Sequence, residues 1–405
     1  MDEYVARQAV FDSKLKVIGY ELLFRSGPEN FFVGKDGTRA SQQVIERALN
    51  TFVLGRLSVG ARAFVNVTPQ LILDGSVSLL PPGQTVLELV GKELQGEALL
   101  SACRTLSGQG YWIAVDDFTR SRAAEPMVAK ADLLKVDFLQ VGPEERRELA
   151  AARRSGGARL VAMKLESRDQ LIEAMQLGYS FFQGNVFSHP EMISRKEIPP
   201  QKTTYLRLMG EVNKEGVGLE ELERTLRQDL ALSLKLLRYI NSALFSLNRK
   251  VDSIRQAIAM VGTDQIRKWV SLLAVTALAE DRPQELVVMS LVRGRFCEEL
   301  GRRRSKPHPG CDLFLIGLLS LIDAILGRPK EELLADLPLS ADLKAALLRG
   351  SGESGRLLQL AIAYEQAHWD EIPLCADGLG VDISRLPGSY REAVAWADEI
   401  HKSGL

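Results

Sequence analysis

The hydrophobic rhythm of the chain changes once, near residue 190. Before that point short apolar runs alternate with amphipathic stretches. Runs at 4–12, 16–25, 63–67, 85–90, 111–117, 133–137, 159–165 and 179–183 read as strands. The last six are continuous, as in Trp112-Ile113-Ala114-Val115, and a strand apolar on both faces belongs in a mostly parallel sheet covered by helices. Helical patterns at 41–57, 97–107 and 144–153 lie between them. The first two runs are joined by too few residues for a crossover helix, so they pair antiparallel. The pattern predicts an α/β unit, a (β/α)8 TIM-like barrel with an antiparallel strand pair at its start.

After Pro199-Pro200 almost every segment has helical periodicity. One helix starts at Asp229 and places Leu230, Leu234, Leu237 and Asn241 on one face, expected to be buried. Ser253 and Gln256 form a capping box before a helix at 254–261, and Gly262 stands at a left-handed C-cap. Further helices are predicted at 264–279 and 314–326. The fold class is therefore α/β plus all-α, with a barrel domain over 1–190, a proline-containing linker over 191–201 and an all-helical domain over 202–405.

Composition changes this picture only by exclusion. Lysine plus arginine (51) balances aspartate plus glutamate (52), a net charge of -1, which gives no drive toward nucleic acid or an anionic membrane. No run is long and apolar enough to span a bilayer and no secretory leader opens the chain. Cys103, Cys297, Cys311 and Cys375 form no CxxC pair, so they read as core residues in a reducing compartment. The expected location is the cytoplasm.

The chemistry gathers where such a barrel places it, at the carboxyl ends of the strands. Glu21 lies on the second strand, Asn66 ends the third, Glu88 lies in the fourth, and Asp116 and Asp117 end the fifth. Lys135 and Asp137 stand on the sixth, Glu166 follows the seventh and Gln183 ends the eighth. Single carboxylates at strand ends are often merely solvated; the ordered set on successive strands is not explained that way. Glu21, Asn66, Glu88 and Asp116 are four oxygen donors suited to one hard cation.

These residues carry a resemblance to the EAL domain family of cyclic di-GMP phosphodiesterases. The signature Glu-x-Leu-x-Arg stands as Glu21-Leu22-Leu23-Phe24-Arg25, and the third-strand Asn as Asn66. The Asp-Asp-Phe motif is Asp116-Asp117-Phe118, Lys-x-Asp is Lys135-Val136-Asp137, and Gln-Gly is Gln183-Gly184. Gln8 matches a first-strand glutamine near the family's ligand. The resemblance implies ligand contacts at Gln8, Arg25, Asp117, Lys135, Asp137, Glu166 and Gln183. It implies metal ligands at Glu21, Asn66, Glu88 and Asp116.

The chain also departs from the family pattern. The fourth strand reads Glu88-Leu89-Val90-Gly91 against Glu-Leu-Thr-Glu, and Thr119 replaces the glycine after Asp-Asp-Phe. The seventh-strand Ala-Glu-Gly-Val-Glu reads Ala162-Met163-Lys164-Leu165-Glu166. Its first Glu serves the second metal and the attacking water in the family, and a thioether is neither base nor hard-metal ligand. From 230 to 273 the helical half resembles HDOD domains. Where an active HD relative carries Gly-Leu-Leu-His-Asp this chain has Gly317-Leu318-Leu319-Ser320-Leu321. His189, His308, His368 and His401 are too scattered for a cluster. Asn241 reads better as an amide bridging local backbone than as a functional contact. The basic run 302–306, with Arg293 and Arg295 before it, reads better as a solvated helix end than as a partner site.

Three functional readings stand at this point. The first is a non-catalytic signalling protein, an inactive phosphodiesterase that acts through contacts with other signalling proteins. The second is a cyclic di-GMP receptor that binds without hydrolysis; the third is a residual phosphodiesterase. The first two require no cofactor, with room for one Mg2+ or Mn2+.

Overall fold

A computed structural model describes residues 4–25, 61–89, 96–119, 121, 126–153, 157–187, 200–214, 216–227, 229–241, 251–304, 310–335 and 337–402. The helical pattern at 41–57, Val90-Gly91, Arg120, Arg122 and His308 lie outside them, as do His189 and most of the proline-containing linker. The chain divides into two compact units, Met1–Phe187 with Glu365–Asp370, and Ser188–Tyr364 with Glu371–Leu405.

The first unit is a closed barrel whose strands follow chain order. They are β1 (Tyr4–Asp12), β2 (Val17–Arg25), β3 (Arg62–Val67), β4 (Thr85–Leu89), β5 (Trp112–Val115), β6 (Leu133–Asp137), β7 (Arg159–Met163) and β8 (Phe181–Phe182). β1 runs antiparallel to β2 and closes the barrel by pairing antiparallel with β8. The other neighbours are parallel. β5 stops at Val115, so Asp116 and Asp117 lie just past it rather than within it. β8 is only two residues long, shorter than its apolar run suggests, because Ser180 and Gln183 make single bonds to β7 instead of a continuing ladder.

Two layers of side chains fill the barrel. The lower layer is apolar and packs Val10, Phe64, Val86, Ala114, Leu133, Val161 and Phe181 together. Two residues on, side chains return to the same face. These positions carry Gln8, Glu21, Asn66, Glu88, Asp116, Lys135 and Gln183, with Met163 the one apolar member. In the lower layer β2 contributes Gly19, where a Cβ would lie 2.5 Å from the Arg62 carbonyl and 2.6 Å from the Phe64 ring. Phe64 takes the space that a β2 side chain would fill.

In the helical unit α1 (Leu230–Ile240) starts where expected, with the Asp229 carboxylate accepting the Leu232 N–H at 2.9 Å. Its buried face differs from the expected one. Leu232, Leu236, Tyr239 and Ile240 are buried, whereas Leu234 is 49% exposed. The helix has leucine on several faces, so the apolar stripe alone is ambiguous. Tertiary partners decide it: Ser233 donates to the Leu226 carbonyl at 2.7 Å, and Tyr239 stacks on Trp269 at 4.0 Å.

Asn241 ties this helix to the next, α2 (Ile254–Val261). Its amide donates to the carbonyls of Leu237 (2.8 Å) and Val251 (2.7 Å) and accepts the Val251 N–H at 2.7 Å. Ser253 caps Gln256, but the Gln256 side chain returns to the Asp252 N–H, one residue earlier than a capping box requires. Gly262 has φ +86° but an extended ψ of 159°, so the left-handed C-cap does not form, and the residue instead opens α3 (Thr263–Leu278). After α4 (Gln284–Arg302) the segment expected as one helix at 314–326 is two, α5 (Gly310–Leu319) and α6 (Ile322–Leu326). Ser320 breaks it: its hydroxyl donates to the Gly317 carbonyl and its own carbonyl accepts from Lys330 at 2.6 Å.

The described arginines of the basic region find partners within their own domain. Arg293 is buried, Arg295 pairs with Glu298 and Glu299, and Arg302 and Arg303 pair with Glu299. Arg304 bonds Glu353 and the Leu379 carbonyl. Arg302, in the last turn of α4, stays more than half exposed, as a solvated helix end would, while Ser305 and Lys306 lie outside the described residues. Among the described residues no helix is long and apolar enough to cross a membrane.

Candidate functional site

The polar layer opens into a cavity of about 430 Å³ at the carboxyl end of the barrel. Gln8, Glu21, Asp116, Asp117, Lys135, Met163, Lys164, Glu166 and Gln183 all line it. Glu88 lies fully buried, with Asn66 as its register partner on β3. Arg25 ends β2, but its side chain lies outside the described residues.

Lys135 organises the site. Its ammonium donates to Glu88 Oε1 at 2.5 Å and Glu21 Oε2 at 3.0 Å, and all three side chains are almost wholly buried. The Gln183 amide donates to Glu21 at 2.6 Å and to Gln8 at 2.9 Å. Buried ions need such partners, because an unpaired charge in a low dielectric is very costly. Burial pushes Glu88 well above the ordinary carboxylate range, and its neighbour Glu21 adds to this, with Lys135 opposing. Burial likewise raises Asp116. For Glu21 burial is outweighed by Lys135 and the hydrogen bond from Gln183, which hold it below its ordinary value. Burial disfavours the Lys135 charge, but Glu21, Glu88 and Asp116 override it and raise that group.

When ionised, the three carboxylates outnumber this ammonium by two charges. Three oxygens of this layer also lack any hydrogen-bond partner: Asn66 Oδ1, Glu88 Oε2 and Gln183 Oε1, all buried. Orphaned buried acceptors call for a donor or a cation. The donor set therefore fits one divalent ion. Among the described residues no three carboxylates, cysteines or histidines already stand at ligand spacing, since the Lys135 ammonium lies between Glu21 and Glu88.

At the rim the backbone is strained. Asp117 has φ +50° and Lys164 φ +53°, in the left-handed region that disfavours residues bearing a Cβ. The Lys164 ammonium donates to Asp137 Oδ2 at 2.7 Å, and Asp137 Oδ1 accepts the Leu139 N–H at 2.8 Å. Gly184, φ +153°, lets the loop after Gln183 lie on β7's extension, for a Cβ there would meet the Leu165 backbone at 2.3 Å. In the sequence Lys164 stood only as part of the departure from the seventh-strand motif. Its place in a glycine position of the motif was the signal that it does something of its own.

In the helical unit the place of the absent His-Asp pair is filled. Arg293 donates to Ser320 Oγ at 2.9 Å, both buried, and Lys330 pairs with Asp323 at 3.3 Å.

A barrel with this carboxylate-lined mouth, followed by such a helical unit, defines a class of cyclic di-GMP-related signalling proteins. The comparisons agree. Residues 198–326 match the HDOD domain model. The chain is 32% identical to uncharacterized protein YuxH of Bacillus subtilis over 99% of each chain. It is also 32% identical to the cyclic di-GMP phosphodiesterase CdgJ of Vibrio cholerae, over 98% of this chain and 93% of that one. Among solved structures it is similar to an EAL domain protein from Listeria monocytogenes (18% identity, TM-score 0.36), over 46% of this chain and 88% of that one. Similar again is the PaMucR phosphodiesterase in its c-di-GMP complex (20%, TM-score 0.39), over 45% and 94%. The chain belongs to the two-domain EAL–HDOD signalling proteins.

One expectation is corrected here. The reading from Met163 was of an inactive phosphodiesterase that hydrolyses nothing. A near full-length relative named as a cyclic di-GMP phosphodiesterase overturns it. Physically, Met163 deletes one carboxylate but leaves Glu21, Asn66, Glu88 and Asp116 together.

Proposed function

We propose that the barrel mouth binds cyclic di-GMP and hydrolyses a phosphodiester bond of it, using one divalent cation, Mg2+ or Mn2+. The observation that supports this best is the buried cluster of Glu21, Glu88 and Asp116 about the single Lys135 ammonium, with orphaned oxygens on Asn66 and Glu88. Glu21, Asn66, Glu88 and Asp116 are the residues that would hold the cation. When bound it would activate water and offset charge developing on the phosphate.

The chain's own side chains prepare the rest. Gln183 fixes one oxygen of Glu21, and Lys135 holds the carboxylates together without a cation. The apolar layer beneath closes the floor to water, and Met163 packs onto it from the polar layer. Gln8, Arg25, Asp117, Lys135, Asp137, Glu166 and Gln183 are proposed ligand contacts, and strained Asp117 fits a residue held for function rather than stability. The test is turnover of cyclic di-GMP by the full chain with Mn2+, with and without Glu21→Gln. Metal-dependent turnover lost in the variant supports the reading; none in the wild type overturns it.

We further propose that the helical unit contributes by contacts with other signalling proteins, because Arg293 and Ser320 fill the place where chemistry would reside. Partner capture by the full chain that survives Glu21→Gln and is lost on disrupting the exposed Leu234 supports this. Capture unchanged by the Leu234 substitution removes this surface from the reading.

A further inference from the structure

Lys164 follows β7 at the rim of the cavity, with φ +53°. A residue with a Cβ is disfavoured there and persists only where something else holds it. Its side chain is 54% exposed, whereas that of Asp137, its partner, is 3% exposed. Asp137 has backbone donors besides the ammonium: its other oxygen accepts the Leu139 and Gln140 N–H groups at 2.8 and 3.3 Å. With the lysine side of the pair more than half exposed, solvent screens the attraction and limits what it adds to stability. This one screened pair is the local return for the strained backbone.

What the arrangement does give is an aimed cation. Asp137 fixes one side of the ammonium, and the rest of its surface faces a cavity also lined by Gln8, Asp116 and Asp117. Lys135 lies deeper, almost wholly buried, and is held by Glu21 and Glu88. Lys164 is the lysine of this mouth with solvent-facing donors among the described residues. An ammonium has three donors and no acceptor, so an anionic ligand oxygen is its natural further partner.

We propose that Lys164 is a ligand-binding residue of the mouth, donating to a phosphodiester oxygen of cyclic di-GMP from a position set by Asp137. The proposal rests on the reading of the mouth as a cyclic di-GMP site. The experiment is calorimetric titration of the full chain with cyclic di-GMP in Mn2+, for wild type, Lys164→Gly, Lys164→Gln and Lys164→Arg. Loss of one charge-assisted bond predicts binding at least about tenfold weaker in the glycine and glutamine variants. The arginine variant stays near wild type, and glycine, suited to the left-handed backbone, keeps or raises the melting temperature. Wild-type binding with equal binding by the glycine and glutamine variants overturns the role of Lys164 and leaves the site reading intact. No binding by the wild type overturns both. Should the glycine variant fail to fold, Lys164→Gln carries the same comparison.

Discussion

Replacing Lys135 by methionine removes the buried cation while keeping the side chain's length and apolar stem. Glu21 and Glu88 then lose the ammonium at 3.0 and 2.5 Å. A buried carboxylate without a partner takes up a proton rather than stay charged, so that uptake sets the magnitude. Glu88 is already raised in the wild type, which leaves Glu21, whose ordinary value is 4.5. Protonating it at pH 7 costs about 3.4 kcal/mol at 1.36 kcal/mol per pH unit. At pH 5 the same step costs about 0.7 kcal/mol. In the wild type the lowered Glu21 contributes stability above its ordinary value that is lost as pH falls. In the variant a raised Glu21 loses stability as pH rises. Both signs close the gap on acidification. The assay is urea unfolding of the full chain in EDTA, followed by hydrogen exchange in peptides from β3 to β6, which reads the barrel apart from the helices. A variant as stable as wild type at pH 7, or a deficit larger at pH 5 than at pH 7, refutes the reasoning.

Gly19→Ala should lower barrel stability by about 1–3 kcal/mol, because the new methyl meets the Arg62 carbonyl and the Phe64 ring; an unchanged thermal transition contradicts this. Asn241→Ala strips three hydrogen bonds, two to Val251 and one to the Leu237 carbonyl within α1, and should cost about 1–3 kcal/mol in a urea titration of the helical unit's transition. Equilibrium dialysis with Mn2+ should find one ion per chain in the barrel, lost in Glu88→Gln; two ions would contradict the single donor set. Burial lifts the Cys103 thiol from 9.0 to about 11, so the folded state keeps its proton longer than the unfolded one. Its contribution is present below pH 9 and lost as pH rises toward 11, and the stability gap between wild type and Cys103→Ala should shrink over that window.

Much of the barrel was legible because its chemistry recurs with the period of a strand. Five polar positions two residues beyond apolar ones, Asn66, Glu88, Asp116, Lys135 and Gln183, marked both the strands and the mouth, and Leu133–Asp137 even kept its predicted ends. β8 was misjudged because an apolar run records burial, while Phe181 and Phe182 alone keep ladder pairs. In α1, leucines on several faces left the burial stripe undetermined until Trp269 selected Tyr239. The break at Ser320 was hidden for a similar reason: serine in an apolar run reads as a tolerated helix residue, and the Lys330 that takes its carbonyl is ten positions away. The bridge between Lys135 and Glu88 joins residues 47 apart in sequence, so strand-end spacing named the participants but not their pairing.

The closure of the barrel between β1 and β8 rests on two register pairs, Phe11 with Phe182 and Asp12 with Phe181, against the long ladder between β1 and β2. The ring of Phe187 against Phe11, 4.1 Å between centroids, reinforces it from just beyond β8. Such a seam is the natural place for the cylinder to breathe, since local opening begins where the fewest backbone bonds must be broken together. The Gln8–Gln183 hydrogen bond spans this same seam, and Gln183 also holds Glu21. Fluctuations of the barrel wall are thereby wired to the innermost carboxylate: whatever clasps the two glutamines, a bound guanine nucleotide included, also bolts the cylinder shut, and amide protection at Phe181 and Phe182 would report occupancy of the mouth without any probe placed inside it.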